Sequence, residues 1–211
     1  MVRAEMTAVL EIEDLTRSFG GREIVRSLDL EVQPGERVAL RGANGSGKTT
    51  VLRCIAGTVF PTGGQIRIGG HPAGSLGARR IMGVSLSQER SFYLRLTGHV
   101  NLLFYARLRH DTEQAARANV EALEEELELG EIAAKTLNDC STGMVQQIGL
   151  ARALIGDPSV VLLDEPTRSL DTDAADRLWN ALERRAGTAV LIATHRHEDL
   201  SHCDRHVELH G

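Results

Sequence analysis

Along the first third of the chain, short apolar runs rich in β-branched residues alternate with turn residues. VLEIEDL (9–15), EIVRSLDLEV (23–32) and RVALR (37–41) predict strands, separated by FGG and QPGE. A helix is predicted from Thr49 to Ala56, stopped at Gly57, with PTGG (61–64) as the next turn. QIRI (65–68) and IMGVSL (81–86) again predict strands. The apolar period then lengthens. TGHVNLLFYARLR (97–109) and DTEQAARANVEALEEELEL (111–129) carry apolar residues at helical spacing, with Thr97 and Asp111 as N-caps. The acidic run Glu124–Glu126 reads as a solvated helix face. After Ser141 helix and strand alternate once more: helix 142–155 ending at GDP, strand VVLLD (160–164), helix 172–186 behind the cap Asp171, and strand TAVLIAT (188–194). These last strands are continuous apolar runs, the pattern of parallel strands buried on both faces. The fold class is therefore α/β: a mainly parallel sheet, antiparallel strands at its edge and an inserted helical block of about 50 residues.

Composition narrows the function classes. A chain of 211 residues with 42% hydrophobic and 25% charged positions suits one globular domain. A net charge of −5 gives no support for a nucleic-acid partner or a surface that grips anionic lipid. No apolar run approaches the roughly 20 residues needed to cross a bilayer, and MVRAEMTAVLEIED lacks a signal-peptide core, so membrane association is expected through a partner. Cys54, Cys140 and Cys203 are scattered without a CxxC pair, which points to a reducing compartment and away from a disulfide frame. His195, His197 and His202 have a spacing that matches no regular zinc pattern. Among 24 basic residues only Lys48 and Lys135 are lysine, so a lysine inside a motif departs from the habit of this chain.

One such lysine stands in RGANGSGKTT (41–50), which fits GxxxxGK[ST] as Gly42, Gly47, Lys48 and Thr49. The motif follows a predicted strand and opens a predicted helix, the context it requires. Its glycines let backbone N–H groups curl around phosphate, Lys48 neutralises the outer phosphates, and the Thr49 hydroxyl can ligate Mg²⁺. The candidates for ATP contact are Gly42, Asn44, Gly45, Ser46, Gly47, Lys48, Thr49 and Thr50. VVLLDE (160–165) ends a buried strand in two carboxylates, at the sheet edge where α/β folds bind ligands. Asp164 is the candidate Mg²⁺ ligand, through water, and Glu165 the group that polarises an attacking water. In NDCSTGMVQQ (138–147), Ser141 and Gly143 place a hydroxyl and bare N–H groups at a helix start, an anion site without a basic residue.

From Asp139 onward, CSTGM–VQQ, ARALIGDP, VVLLDEPT, SLD (169–171) and TH (194–195) follow one another in an order that resembles the nucleotide-binding domain of ABC transporters. Gln88 in SLSQE matches that family's Q-loop, and Phe19, 23 residues before Gly42, matches the aromatic that stacks on adenine. Read singly, Gln88 is an exposed strand-end residue, His195 a histidine after an apolar strand and Phe19 a core aromatic; the series lifts them. The resemblance covers essentially the whole chain. It implies one domain over 1–211 with a P-loop NTPase (RecA-like) core: 1–87 and 146–211 as catalytic core with an antiparallel β subdomain, 88–145 as helical subdomain. It implies Glu165, His195 and Gln88 as catalytic residues and Thr49, Gln88 and Asp164 around Mg²⁺. It also implies a head-to-tail dimer, homo- or heteromeric, in which Ser141, Gly143 and Asp171 reach the ATP of the second ATPase subunit. The signature departs from LSGGQ at Thr142 and Met144, and Gln147 stands where arginine is usual.

The resemblance further implies an integral membrane permease subunit as partner, and a cytoplasmic protein peripheral on the inner face of the membrane. Residues 87–108, STGM and EPTRSLD (165–171) look like ABC-2-type exporters, which favours export. Two other classes stay open: a soluble ABC ATPase acting on a macromolecular complex, and an ATP-sensing regulatory subunit that does not hydrolyse. Single-cassette length argues against the first, intact Glu165 and His195 against the second.

Overall fold

The computed structural model describes residues 7–86 and 91–209. β1 (Leu10–Phe19) and β2 (Arg22–Val32) pair across a turn at Gly20 and Gly21. β3 (Arg37–Arg41) leads into α1 (Lys48–Ile55), followed by β4 (Gly63–Ile68), the two-residue β5 (His71–Pro72), α2 (Leu76–Ile81) and β6 (Met82–Ser85). Then come α3 (Gly98–Arg107), α4 (Glu113–Glu126) and the short α5 (Gly130–Ala133). The chain closes with α6 (Thr142–Leu154), β7 (Val160–Asp164), α7 (Thr172–Arg184), β8 (Ala189–Ala193), α8 (His197–Leu200) and β9 (Arg205–Glu208).

Two sheets result. One is antiparallel, in the order β2-β1-β4-β5; the other runs β6-β7-β8-β3-β9 with every pair parallel. The antiparallel strands thus form a sheet of their own and are not an edge of the parallel one. Their burial explains this: β2 alternates exposed and buried positions along its inner half, whereas all five residues of β7 and of β8 are buried. A strand with one wet face belongs in a one-sided sheet, and a strand dry on both faces needs helices on either side.

Element boundaries differ from the sequence expectation where local chemistry decides. The cap of α4 is Thr112, whose hydroxyl accepts from Ala115 N–H at 3.2 Å, and not Asp111. Ile81 closes α2, a six-residue helix capped by Ser75 and too short to show a period, so the IMGVSL strand begins only at Met82. β9 has no apolar run to reveal it; it is held by its ladder to β3, Val38 opposite Arg205 through Arg41 opposite Glu208.

One apolar core joins the antiparallel sheet, α1 and one face of the parallel sheet, with Leu10, Leu40, Leu52 and Ile55 fully buried. A second lies between α3–α7 and the other face of β7 and β8. Trp179 belongs to it and stacks on His202 with ring centroids 4.3 Å apart. Among the described residues no helix is long and apolar enough to cross a membrane. The register sets Asp164 beside Ala193 and keeps β3 next to β8. The segments after Arg41, Asp164 and Ala193 therefore all leave the sheet at its carboxyl edge, where open α/β sheets take their ligands.

Candidate functional site

The loop between β3 and α1 curls so tightly that Gly47 sits at φ +97°, and a Cβ there would lie 2.9 Å from the Ile24 carbonyl. Only glycine meets both demands. The Lys48 ammonium turns back over this loop and donates to Gly42 O at 2.7 Å and Ala43 O at 3.1 Å. Lys48 is buried, and among the described residues no carboxylate pairs with it. The buried Ser46 hydroxyl likewise has no partner among the described residues. An uncompensated cation and an orphaned hydroxyl beside a ring of backbone N–H groups fit phosphate oxygens, which supply both the charge and the acceptors.

Facing the loop, the Thr49 hydroxyl donates to Asp164 Oδ2 at 2.9 Å. Hydroxyl and carboxylate are hard oxygen donors, the set that suits Mg²⁺ held by few protein ligands together with substrate phosphates. Glu165 follows, 8% exposed and at φ +49°, a left-handed conformation that a non-glycine residue adopts only when its surroundings impose it. Three ties impose it here. Glu165 N–H donates to Ala193 O at 2.7 Å, Arg168 N–H donates to Glu165 O at 3.2 Å, and Gln146 Nε2 donates to Glu165 O and Pro166 O at 2.9 and 2.6 Å. The side chain is thereby aimed at the loop, where its Oε1 meets His195 Nδ1 at 2.7 Å. A carboxylate only accepts, so the proton of this pair sits on Nδ1 and leaves Nε2 outward.

Asn44, Gly45, Gly47, Lys48, Thr49 and Thr50 share with Asp164 and Glu165 one open cleft of about 360 Å³. Its rim adds Arg53 and Arg168, which sequence reasoning did not single out. Phe19 does not line it: the ring is 46% exposed and carries the Arg17 guanidinium 4.1 Å over its face. Gln88 lies outside the described residues.

Ser141, Gly143 and Asp171 do not line that cleft either, although their neighbours Cys140 and Thr142 line an adjoining pocket that shares Asp164, Glu165 and Arg168 with it. Ser141 caps α6, accepting from Met144 N–H at 3.3 Å, while its own N–H reaches Met144 Sδ at 3.4 Å. This is a capping box in which a thioether takes the place usually held by Glu or Gln, so the departure at Met144 retains a local role. A Cβ on Gly143 would lie 2.3 Å from Ser169 O. Gly143 is therefore required for packing within the chain, whatever its N–H binds. We expect Gly143→Ala to lower unfolding free energy by about 1–3 kcal/mol, the range for forcing a group into packed surroundings, read by urea denaturation. Asp171 caps α7 through Ala174 N–H at 2.8 Å. Burial pushes the Cys54 and Cys203 thiols up to about 11, far from thiolate reactivity.

Gln146 and the buried Asp199 were missed by sequence reasoning. The partner of Gln146 is a backbone carbonyl, which leaves no trace in the sequence. Asp199 sits in a helix of four residues that no period announces.

Residues 25–168 match the family model described as ABC transporter. The chain is 36% identical over 203 residues to a Nod factor export ATP-binding protein I from Burkholderia lata, spanning 94% of this chain and 66% of that protein. It is 34% identical over 207 residues to the protein of the same name from Rhizobium meliloti, spanning 96% and 62%. The chain thus spans a little under two thirds of the length of these curated relatives. A solved ATP binding subunit of an ABC transporter superposes with a TM-score of 0.87 at 28% identity, covering 96% of this chain and 86% of that one. With the family model matching more than half of its residues, the chain belongs to the ABC transporter family.

Proposed function

We propose that this chain binds Mg-ATP in the Lys48 cleft and hydrolyses it, as the ATPase subunit of a transporter whose membrane-spanning part is a separate permease chain. The observation that carries the reading is the Thr49 to Asp164 contact at 2.9 Å, with Lys48, Asp164 and Glu165 lining one cleft and His195 holding Glu165 at 2.7 Å. Thr49, Asp164 and Gln88 are the residues that would hold Mg²⁺, which when bound neutralises charge on the outer phosphates. Lys48 exchanges its two carbonyl partners for phosphate oxygens. Glu165 takes the proton of a water aimed at the terminal phosphorus, and the imidazole holds that carboxylate in register from behind. His195 Nε2 is then free to meet the same phosphate. Phe19 stacks on the adenine once Arg17 moves aside.

Ser141, Gly143 and Asp171 serve the ATP of a second subunit in a head-to-tail pair, identical or not. Supporting this, none of the three lines the chain's own cleft, and Ser141 and Thr142 are exposed at the start of α6, where first-turn N–H groups lack intrahelical acceptors. Residues 88–145 act as the helical subdomain that presents this signature, with 1–87 and 146–211 as the catalytic core.

The membrane partner docks on the outer face of α3. Four of the chain's seven aromatic residues form a run of edge-to-face rings that starts with Tyr93 and Phe104 on that face and continues inward through Tyr105 and Phe92 onto the core. Tyr93, Leu94, Leu96, Val100 and Leu108 leave large apolar surface around it, the mark of an interaction site. Such docking puts the protein on the inner face of the cell membrane, and the export relatives favour outward transport. We expect the purified chain to hydrolyse ATP slowly, and several-fold faster when reconstituted with its permease in vesicles, measured by phosphate release. Absence of turnover in both states would favour an ATP sensor.

A further inference from the structure

Asp199 lies on α8, four residues beyond His195, with its side chain fully buried. Its Oδ1 accepts from the Thr167 hydroxyl at 2.6 Å and its Oδ2 from the Thr194 hydroxyl at 2.7 Å. Among the described residues no arginine, lysine or histidine pairs with this carboxylate. A buried carboxylate held by two neutral hydroxyls carries a desolvation cost that two neutral hydrogen bonds offset only in part. Its partners show what the cost achieves. Thr167 stands two residues after Glu165 on the segment leaving β7, and Thr194 immediately precedes His195 on the segment leaving β8. One carboxylate therefore pins together the two segments that carry the Glu165–His195 pair. Arg196 reinforces the same junction, donating from Nη1 to Thr167 O at 3.1 Å.

The Thr194 hydroxyl has a second role. It lies 3.5 Å from Glu165 Oε2 and accepts from Arg196 N–H at 3.1 Å. A hydroxyl carries one proton, and the 2.7 Å bond to Asp199 takes it in preference to the 3.5 Å approach. Among the described residues Glu165 Oε2 is thereby left without a competing donor, while Oε1 is occupied by His195.

We propose that Asp199 is a positioning residue for hydrolysis: it fixes the spacing of Glu165 and His195 and keeps the Thr194 hydroxyl turned away from the Glu165 oxygen that receives the proton of water. It touches no substrate atom. The inference rests on the ATPase reading above, and the wild-type rate separates the two. Asp199→Asn keeps the shape but cannot accept both hydroxyls, so one tie between the two segments is lost and Thr194 becomes free to swing to Glu165. In the purified full-length chain we expect KM and the affinity for a fluorescent ATP analogue to stay within about twofold while kcat falls about tenfold, the scale for small misplacement of reacting groups. Thr194→Val removes any competing donor but also cuts the tie to Asp199 that fixes the spacing of the two segments, so it should lose a similar factor; Thr194→Ser should keep most of the rate, and the Asp199→Asn/Thr194→Val double variant, which cuts the same tie, should be no slower than the slower single one. Should Asp199→Asn fail to fold by thermal melting, the Thr194 pair decides. Unchanged kcat in Asp199→Asn or Thr194→Val, losses that multiply, or KM rising as kcat falls would overturn the inference. No turnover in wild type removes both readings; normal wild-type turnover with an unaffected Asp199→Asn removes this one alone.

Discussion

Lys48→Ala should reduce affinity for Mg-ATP by about 100-fold or more, read by calorimetric titration of the purified chain. The ammonium is buried, held by two carbonyl oxygens and unpaired with any described carboxylate, so it is available to an incoming anion at little cost in broken ion pairs. A charge-assisted bond of this kind contributes about 1.5–3 kcal/mol, and each 1.4 kcal/mol is tenfold in affinity. Two such contacts to phosphate reach the stated factor. The fold should survive, because the hydrogen bonds lost go to backbone carbonyls at an open cleft. Arginine is not a substitute despite its abundance in this chain, since a planar fork does not fit where a compact ammonium lies against Gly42 and Ala43. Normal affinity in Lys48→Ala would refute the assignment of the loop as phosphate site.

The second large effect is expected on rate. Glu165→Gln should lower kcat by about 100- to 1,000-fold, within the range for loss of a positioned general base, while ATP affinity changes only a few-fold. The amide oxygen can still accept from His195 Nδ1–H, and the left-handed backbone is held by Ala193, Arg168 and Gln146 through main-chain atoms that the substitution leaves in place. What is lost is the capacity to take a proton from water. Stopped-flow phosphate release separates this from a defect in binding. A kcat within fivefold of wild type would assign the base to another group.

How much of this was legible in the sequence depended on which physical signal each part leaves. The phosphate loop and the acidic strand end were readable because their chemistry fixes residue types at set spacings next to a strand and a helix. The parallel strands were readable as unbroken apolar runs. The separate antiparallel sheet was less so, because alternation shows that a strand has one wet face but not which strands it pairs with. β9 left no apolar signal, since its residues are mostly exposed and its place comes from the ladder to β3. Gln146 and Asp199 were illegible for another reason. Their partners are backbone carbonyls and threonine hydroxyls brought near by folding, 19 and 32 residues away for Glu165 and Thr167. Gly143 was readable as part of a signature, but its packing against Ser169 appeared only in three dimensions.

The proposed division of labour between Lys48 and Ser141 is central: a cleft that would hold one ATP and a helix start that would complete the site of another. A binding event that occurs only in the closed pair shifts the equilibrium toward that pair. Light scattering on Glu165→Gln eluting from a size-exclusion column tests this most directly. With Mg-ATP the account predicts a doubling of mass, reversed by Ser141→Arg in the same chain. A chain that binds ATP yet elutes as a monomer at every protein concentration would contradict it.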